Sequence, residues 1–405
     1  MPITKASGRE AVAAYKANKF AKAPHRDERR LTPVANVEPT TSFKFKSSDR
    51  IFTVGSCFDR NVEFVLRNFG FDLPIDQVSE VYRQAKERSD PRGFLNKHNP
   101  VSILNEMQWA FAPGEIAPAA AAAFKTSAGY WDSQLHSGYS QPREGALEQR
   151  ARITRYFEGL SRCDVMIVTL GLVEAWYDVE TKLYLNETPP LRLIQQRELE
   201  LHLLDYGEIH GALKRMVELA LGANPALRII MTVSPVTLQA TFSEDDLVVR
   251  NCYSKSVLRA AAEAISKAFP AVDYFPSYET VIYSQRELAF QVDEVHVRQE
   301  IIGLIMTKLM RAYLDGDPLA NEDFALQQLK AGLFVADAAY VHEVRKRYGD
   351  AWSRGAGPTA TAGRKLLAVA DRRGLVVEPQ AEAATAAPLI VKPPLIPFPG
   401  VPKAQ

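Results

Sequence analysis

Residues 50 to 70 read RIFTVGSCFDRNVEFVLRNFG, and no other stretch restricts the fold as much. Ile51 to Val54 is a short apolar run. The chain then turns at Gly55-Ser56-Cys57-Phe58, and Val62, Val65, Leu66 and Phe69 recur at helical spacing before Gly70 in the position of a C-cap. A buried strand, a tight turn and a helix in that order are the opening unit of an open α/β sheet. In such sheets the loop leaving the carboxyl end of a strand faces the ligand crevice. The turn therefore presents a hydroxyl and a thiol where chemistry is usually done.

The rest of the chain repeats the alternation. Val165 to Leu170 is a second continuous apolar run, Arg228 to Val233 a third and Val272 to Phe275 a fourth. Between them the spacing predicts helices beginning at Asn99-Pro100 and over about Leu147 to Ser161, Tyr206 to Leu221 and Leu247 to Phe269, with a last core helix over about Arg298 to Leu314. Strands alternating with helices predict a mostly parallel sheet covered on both faces, so the fold class is α/β. Residues 77 to 88 read as a weakly amphipathic helix and 92 to 98 as a loop. Trp176-Tyr177 and Leu183-Tyr184 flank DVETK as a small hairpin, Tyr130 to Ser137 reads as a loop that lines a site, and the alanine-rich run from Ala117 reads as surface.

Four segments follow. Residues 1–48, with one short helix near Gly8, form an arm lying on the domain; 49–314 form the α/β domain; 315–375 form a helical extension. Residues 376–405, rich in Pro and Ala, form a disordered tail suited to docking on a protein partner. With 49 basic and 48 acidic residues the chain has no net field to attract nucleic acid. No run reaches the roughly 18 apolar residues of a membrane span, and the first residues lack the apolar core of a signal peptide, so a cytoplasmic location is expected. Cys57, Cys163 and Cys252 lack metal-ligand spacing and read as reduced thiols, the latter two structural. No metal or redox cofactor is implied, and the sequence carries no signature of a particular oligomeric state.

Three stretches fall on one rim of such a sheet: Gly55-Ser56-Cys57, Gly171 to Glu174, and Asp293-x-x-His296. A thiol on a strand-to-helix turn gains from the helix N-terminus, and an Asp three residues before a His can hold the far imidazole nitrogen. The parts read as a triad with Cys57 as nucleophile, His296 as base and Asp293 as its orienting group. Ser56 is the alternative nucleophile; otherwise its hydroxyl caps the following helix. Lys255 reads as a solvated helix face, with contact to an anionic substrate as the alternative.

The ordered motifs GSCF, NPVSILNE, DSQLHS, CDVMIVTLGLVEAWYD, TVSPVTLQATF, YSKSVLRAA, YFPSYE and DEVH together resemble the GSCFA family over roughly residues 49 to 312. The resemblance implies the SGNH hydrolase-like superfamily, a three-layer α/β/α sandwich with a flavodoxin-like sheet. Laid on that superfamily's blocks, Cys57 takes the nucleophile position, Ser56 stands where the aspartate usually follows the glycine, and Asp293 and His296 match the last block. Gly171-Leu172-Val173-Glu174 lacks the usual oxyanion asparagine. Donors are then sought at the amides of Cys57 and Phe58, in the loop of residues 93–99, and at Asn99 or His136, with Gly55, Gly171 and Glu174 around them. The expected activity is acyl transfer, as an esterase or O-acyltransferase on an ester or thioester, with a carbohydrate or another small molecule as acceptor and acyl-coenzyme A as a donor substrate. A catalytically inactive binding module of the same fold is the alternative.

Overall fold

The structure, a computed structural model, describes residues 3–23, 30–31, 33–76, 78, 95–136 and 140–375. Apart from Val78, the expected helix over 77–88 lies outside these residues, as do part of the loop over 92–98, Ser137 and the Pro-rich tail.

Strand β1 (Ile51–Gly55) is buried along its whole length and opens the sheet. The next two strands, β2 (Ala123–Thr126) and β3 (Gly129–Asp132), form an antiparallel hairpin. The loop expected at Tyr130 is thus half strand, and the alanine run ahead of it is only partly surface: Ala120 is exposed, but Ala122 is fully enclosed and packs with Trp109 and Leu183. Small side chains let that turn press against an aromatic ring, which composition alone does not reveal. Strand β4 (Val165–Leu170) is buried throughout. After it, β5 (Glu174–Asp178) pairs antiparallel with β6 (Leu183–Tyr184), as the flanking aromatics predict. It pairs also with β7 (Leu199–Leu203), a strand the sequence reading missed.

Strands β8 (Arg228–Val233) and β9 (Val272–Tyr274) complete the main sheet, whose order is β1-β4-β8-β9 with every pair parallel. Their continuous apolar runs reflect burial on both faces by helices. Helices Asp59–Asn68 and Gln299–Tyr313 contact each other, while Arg143–Glu158, Pro100–Phe111, Tyr206–Ala223 and Leu247–Ala268 contact one another in series. Local signals set the starts of these helices. Asn99 caps the first turn after it through Ser102 N at 2.8 Å, and Asp205 forms a capping box with Glu208.

The stretch ahead of β1 packs on this domain from Val34 on. Phe45 is fully buried, and its amide donates to Tyr313 O at 2.8 Å. Three helices, Glu322–Val335, Ala338–Arg354 and Pro358–Arg372, enclose a second, smaller core around Leu329, Val341 and Trp352. Among the described residues no helix is long and apolar enough to cross a membrane.

Candidate active site

The turn after β1 is held by close backbone approach. Ser56 N donates to Thr169 O at 3.1 Å, and Lys97 N donates to Gly55 O at 2.7 Å. A Cβ on Gly55 would stand 2.3 Å from Thr169 O, so only glycine lets β1 and β4 meet there. The turn opens on a cleft of roughly 380 Å³ walled by Ser56, Cys57, Gly171, Glu174, Lys255 and His296. The three stretches expected on one rim do meet at this cleft.

Cys57 is partly buried, and that burial raises its thiol above the usual range. Lys255 opposes the rise first, then Arg60, then the amides of Cys57 and Phe58. Burial thus disfavours the thiolate, and the neighbouring cations favour it. Lys255 is not on a solvated face. It is buried on the helix Leu247–Ala268, and its Nζ donates to Gly171 O at 2.6 Å. Burial lowers its pKa to about 7, with Cys57 acting the other way. Helical periodicity placed it near the polar side, but the end of β4 crosses above it.

His296 donates through Nδ1 to Asp293 Oδ2 at 2.6 Å, and Asp293 Oδ1 accepts the amides of Val295 and His296, each at 3.0 Å. The His296 side-chain bond first, then the two amides, lower the Asp293 carboxyl to about 2. The loop closes through Glu294 in the left-handed region at φ 56° and through Gln291 N to His296 O at 2.8 Å. With Nδ1–H directed at Asp293, Nε2 is left as the acceptor. Both residues are exposed on their outer sides, and His296 reaches the cleft wall.

The remaining candidates divide. Ser56 is buried and lines the cleft, and its Oγ has no hydrogen-bond partner among the described residues; the helix Asp59–Asn68 has Phe58 at its N-cap with no side-chain cap, so Ser56 does not cap it. Asn99 spends its oxygen on the helix cap and its amide on Leu185 O at 3.0 Å. Gly171 is a packing position: a Cβ there would stand 2.4 Å from His98 O. The next two amides are also engaged, Leu172 N with His98 O at 2.8 Å and Val173 N with Ser254 Oγ at 3.0 Å. Glu174 accepts from Thr241 Oγ1 at 2.5 Å at the cleft wall. The amides of Cys57 and Phe58 lie next to the thiol, whose pKa they lower. Trp176 lines the cleft and meets Phe242 edge-on at 5.4 Å. Cys163 is buried, as expected, whereas Cys252 is exposed.

His136 sits on the same cleft beside two residues that sequence reasoning missed. Its Nδ1 lies 2.9 Å from His98 Nε2 and 2.9 Å from Glu187 Oε2. Burial lowers the pKa of His98 to about 4, with His136 adding to the effect, so its imidazole is neutral. The trio comes from positions 98, 136 and 187, too far apart for any spacing signal.

Below the trio lies a buried ionic network. Lys97 Nζ donates to Glu106 Oε1 at 2.6 Å, and Arg150 contacts both Glu106 at 3.0 Å and Asp132 at 2.9 Å. Each charge has a fixed partner, as burial of charge requires.

A parallel sheet flanked by helices, with a thiol on its first strand-to-helix turn and an Asp-supported histidine lining the same cleft, defines the class: an α/β protein with a cleft at the carboxyl rim of the sheet. Within that class the chain belongs to the GSCFA family, whose model matches residues 50–309. Comparison with curated proteins and with solved structures returned no match.

Proposed function

We propose that this protein is an acyl-transfer enzyme of the SGNH hydrolase-like type with Cys57 as nucleophile. The observation that carries the reading is that Cys57 and the Asp293-supported His296 line the same cleft. In the first step the thiol proton passes to His296 Nε2 as sulfur bonds to the carbonyl carbon of an ester or thioester. The carbonyl electron pair moves onto oxygen, where the amides of Cys57 and Phe58 receive it. Collapse of that intermediate expels the leaving alkoxide or thiolate, which takes the proton from His296. Water or an acceptor hydroxyl then attacks the Cys57 thioester with His296 again as base, and sulfur leaves as the thiol. Asp293 holds the imidazole in the tautomer this requires. Trp176 at the cleft suits an apolar acyl chain or the face of a sugar acceptor.

A serine route through Ser56 is the second reading, favoured by its buried hydroxyl at the cleft, which has no partner among the described residues. Intact-protein mass spectrometry after incubation with acyl thioesters and activated esters separates the two. An adduct lost only in Cys57→Ala supports the cysteine route, and loss only in Ser56→Ala moves the nucleophile one residue back. Absence of any adduct from the wild type favours a binding module without turnover.

A further inference from the structure

The ring nitrogens of His98 and His136 and a carboxylate oxygen of Glu187 all lie within 4.8 Å of one another. His136 Nδ1 stands at 2.9 Å from both of the others. An imidazole nitrogen has a single in-plane site, either one lone pair or one N–H, and cannot make two good hydrogen bonds along it. Two nitrogen donors and one carboxylate converging on one small volume are, by contrast, a ligand set for a transition-metal ion.

The loops that bring them together are fixed independently of any ion. His98 N donates to Asn186 Oδ1 at 2.9 Å, and Asn186 Nδ2 donates to Asn96 O at 2.8 Å. Asn186 N donates in turn to Ser133 O at 2.9 Å. Lys97 Nζ, tied to Glu106, donates to Gln134 O at 2.6 Å, while Gln134 Nε2 donates to Tyr184 O at 2.7 Å. Buried polar bonds thus stitch the residues next to His98, His136 and Glu187 into one frame, and all three side chains face the cleft that Cys57 and His296 share. A rigid frame around three converging donors is what a preorganised metal site needs.

We infer that His98 Nε2, His136 Nδ1 and Glu187 bind one divalent transition-metal ion, with Zn²⁺ the best-matched, leaving a coordination position open toward the cleft. Two histidines and a glutamate with one open position form a recurrent zinc ligand set in hydrolytic sites. The site stands apart from the acyl-transfer reading, because its ligands do not include Cys57 or His296.

The test uses the tag-free full-length chain, stripped with chelator and titrated with Zn²⁺ by calorimetry and with Co²⁺ by visible absorption. The expected result is one ion per chain, with Co²⁺ d–d bands and no sulfur-to-metal charge-transfer band. Affinity should fall at least tenfold in His136→Ala and in Glu187→Ala, both checked for folding by circular dichroism, and should persist in Cys57→Ser. The inference is overturned if the wild type takes up no stoichiometric Zn²⁺ or Co²⁺, if folded His136→Ala and Glu187→Ala bind as the wild type does, or if Cys57→Ser abolishes binding. Acyl-adduct formation is read separately, so loss of one property leaves the other standing.

Discussion

Lys255 Nζ donates to Gly171 O at 2.6 Å while buried under the end of β4, which places a cation beside the Cys57 thiol. With the bond from Val173 N to Ser254 Oγ, it joins the helix Leu247–Ala268 to the rim of the sheet. It also sets two opposed demands on one ammonium: burial disfavours its charge, and the neighbouring Cys57 favours it.

The first prediction concerns stability against pH. An unfolded chain keeps the Lys255 proton up to about 10.5, whereas the folded protein releases it near about 7. The unfolded state therefore binds more protons across that window, and the Lys255 contribution to stability rises with pH through it. Lys255→Met removes this slope, so the difference in urea midpoint between wild type and variant should shift toward the wild type as pH rises from about 7 to about 10.5. A difference independent of pH would show that Lys255 keeps its ordinary pKa.

The same substitution acts on the thiol. At about pH 6.5, where Lys255 is charged, its loss should raise the Cys57 pKa further and slow iodoacetamide labelling by roughly three- to tenfold. Mass spectrometry in a Cys252→Ser background reads this cleanly, since Cys252 is exposed and would otherwise compete.

On the proposed mechanism, His296→Ala should reduce the rate of acylation by on the order of 10²–10⁴, because the thiol would lose its base. Asp293→Asn should also lower it, by no more than that factor, with kcat affected more than KM. The Asp293 carboxyl ionises at about 2, so its hold on the imidazole persists at every ordinary working pH. Stopped-flow acylation at wild-type rate in His296→Ala would remove His296 from the mechanism.

Gly171→Ala would drive a methyl group to 2.4 Å from His98 O, a backbone atom with no room to yield. A loss of about 2–3 kcal/mol in urea unfolding is expected. If the metal site is formed as inferred, Zn²⁺ affinity should fall with it, because His98 is the group displaced.

Glu106→Gln leaves Lys97 and Arg150 buried without their shared counter-charge and should cost on the order of 3–5 kcal/mol. Glu148→Gln, which breaks the exposed pair with Arg152, should cost about 0–1 kcal/mol. Equal losses from the two would show that the interior network is well hydrated.

Much of the frame was legible because it is local. The apolar runs of β4 and β8 marked both strands to the residue, and Asn99-Pro100 marked a helix start through cap chemistry that operates within four residues. The Asp293-x-x-His296 pair was legible for the same reason, since its hydrogen bonds close inside one turn. The hairpin of β2 and β3 was not, because a four-residue strand with few branched side chains reads as a loop until its partner is known.

Lys255 and the trio His98, His136 and Glu187 mark the boundary between the two kinds of information. Sequence by itself determined where the chain runs as strand or helix and which turn carries the thiol, because burial periodicity, caps and turns are properties of neighbouring residues. Only the tertiary structure decided that a lysine on an amphipathic helix lies buried beneath Gly171 and that three residues from distant loops face one point. Those outcomes depend on how parallel strands bring remote segments into contact, and that arrangement leaves no period or spacing along the chain.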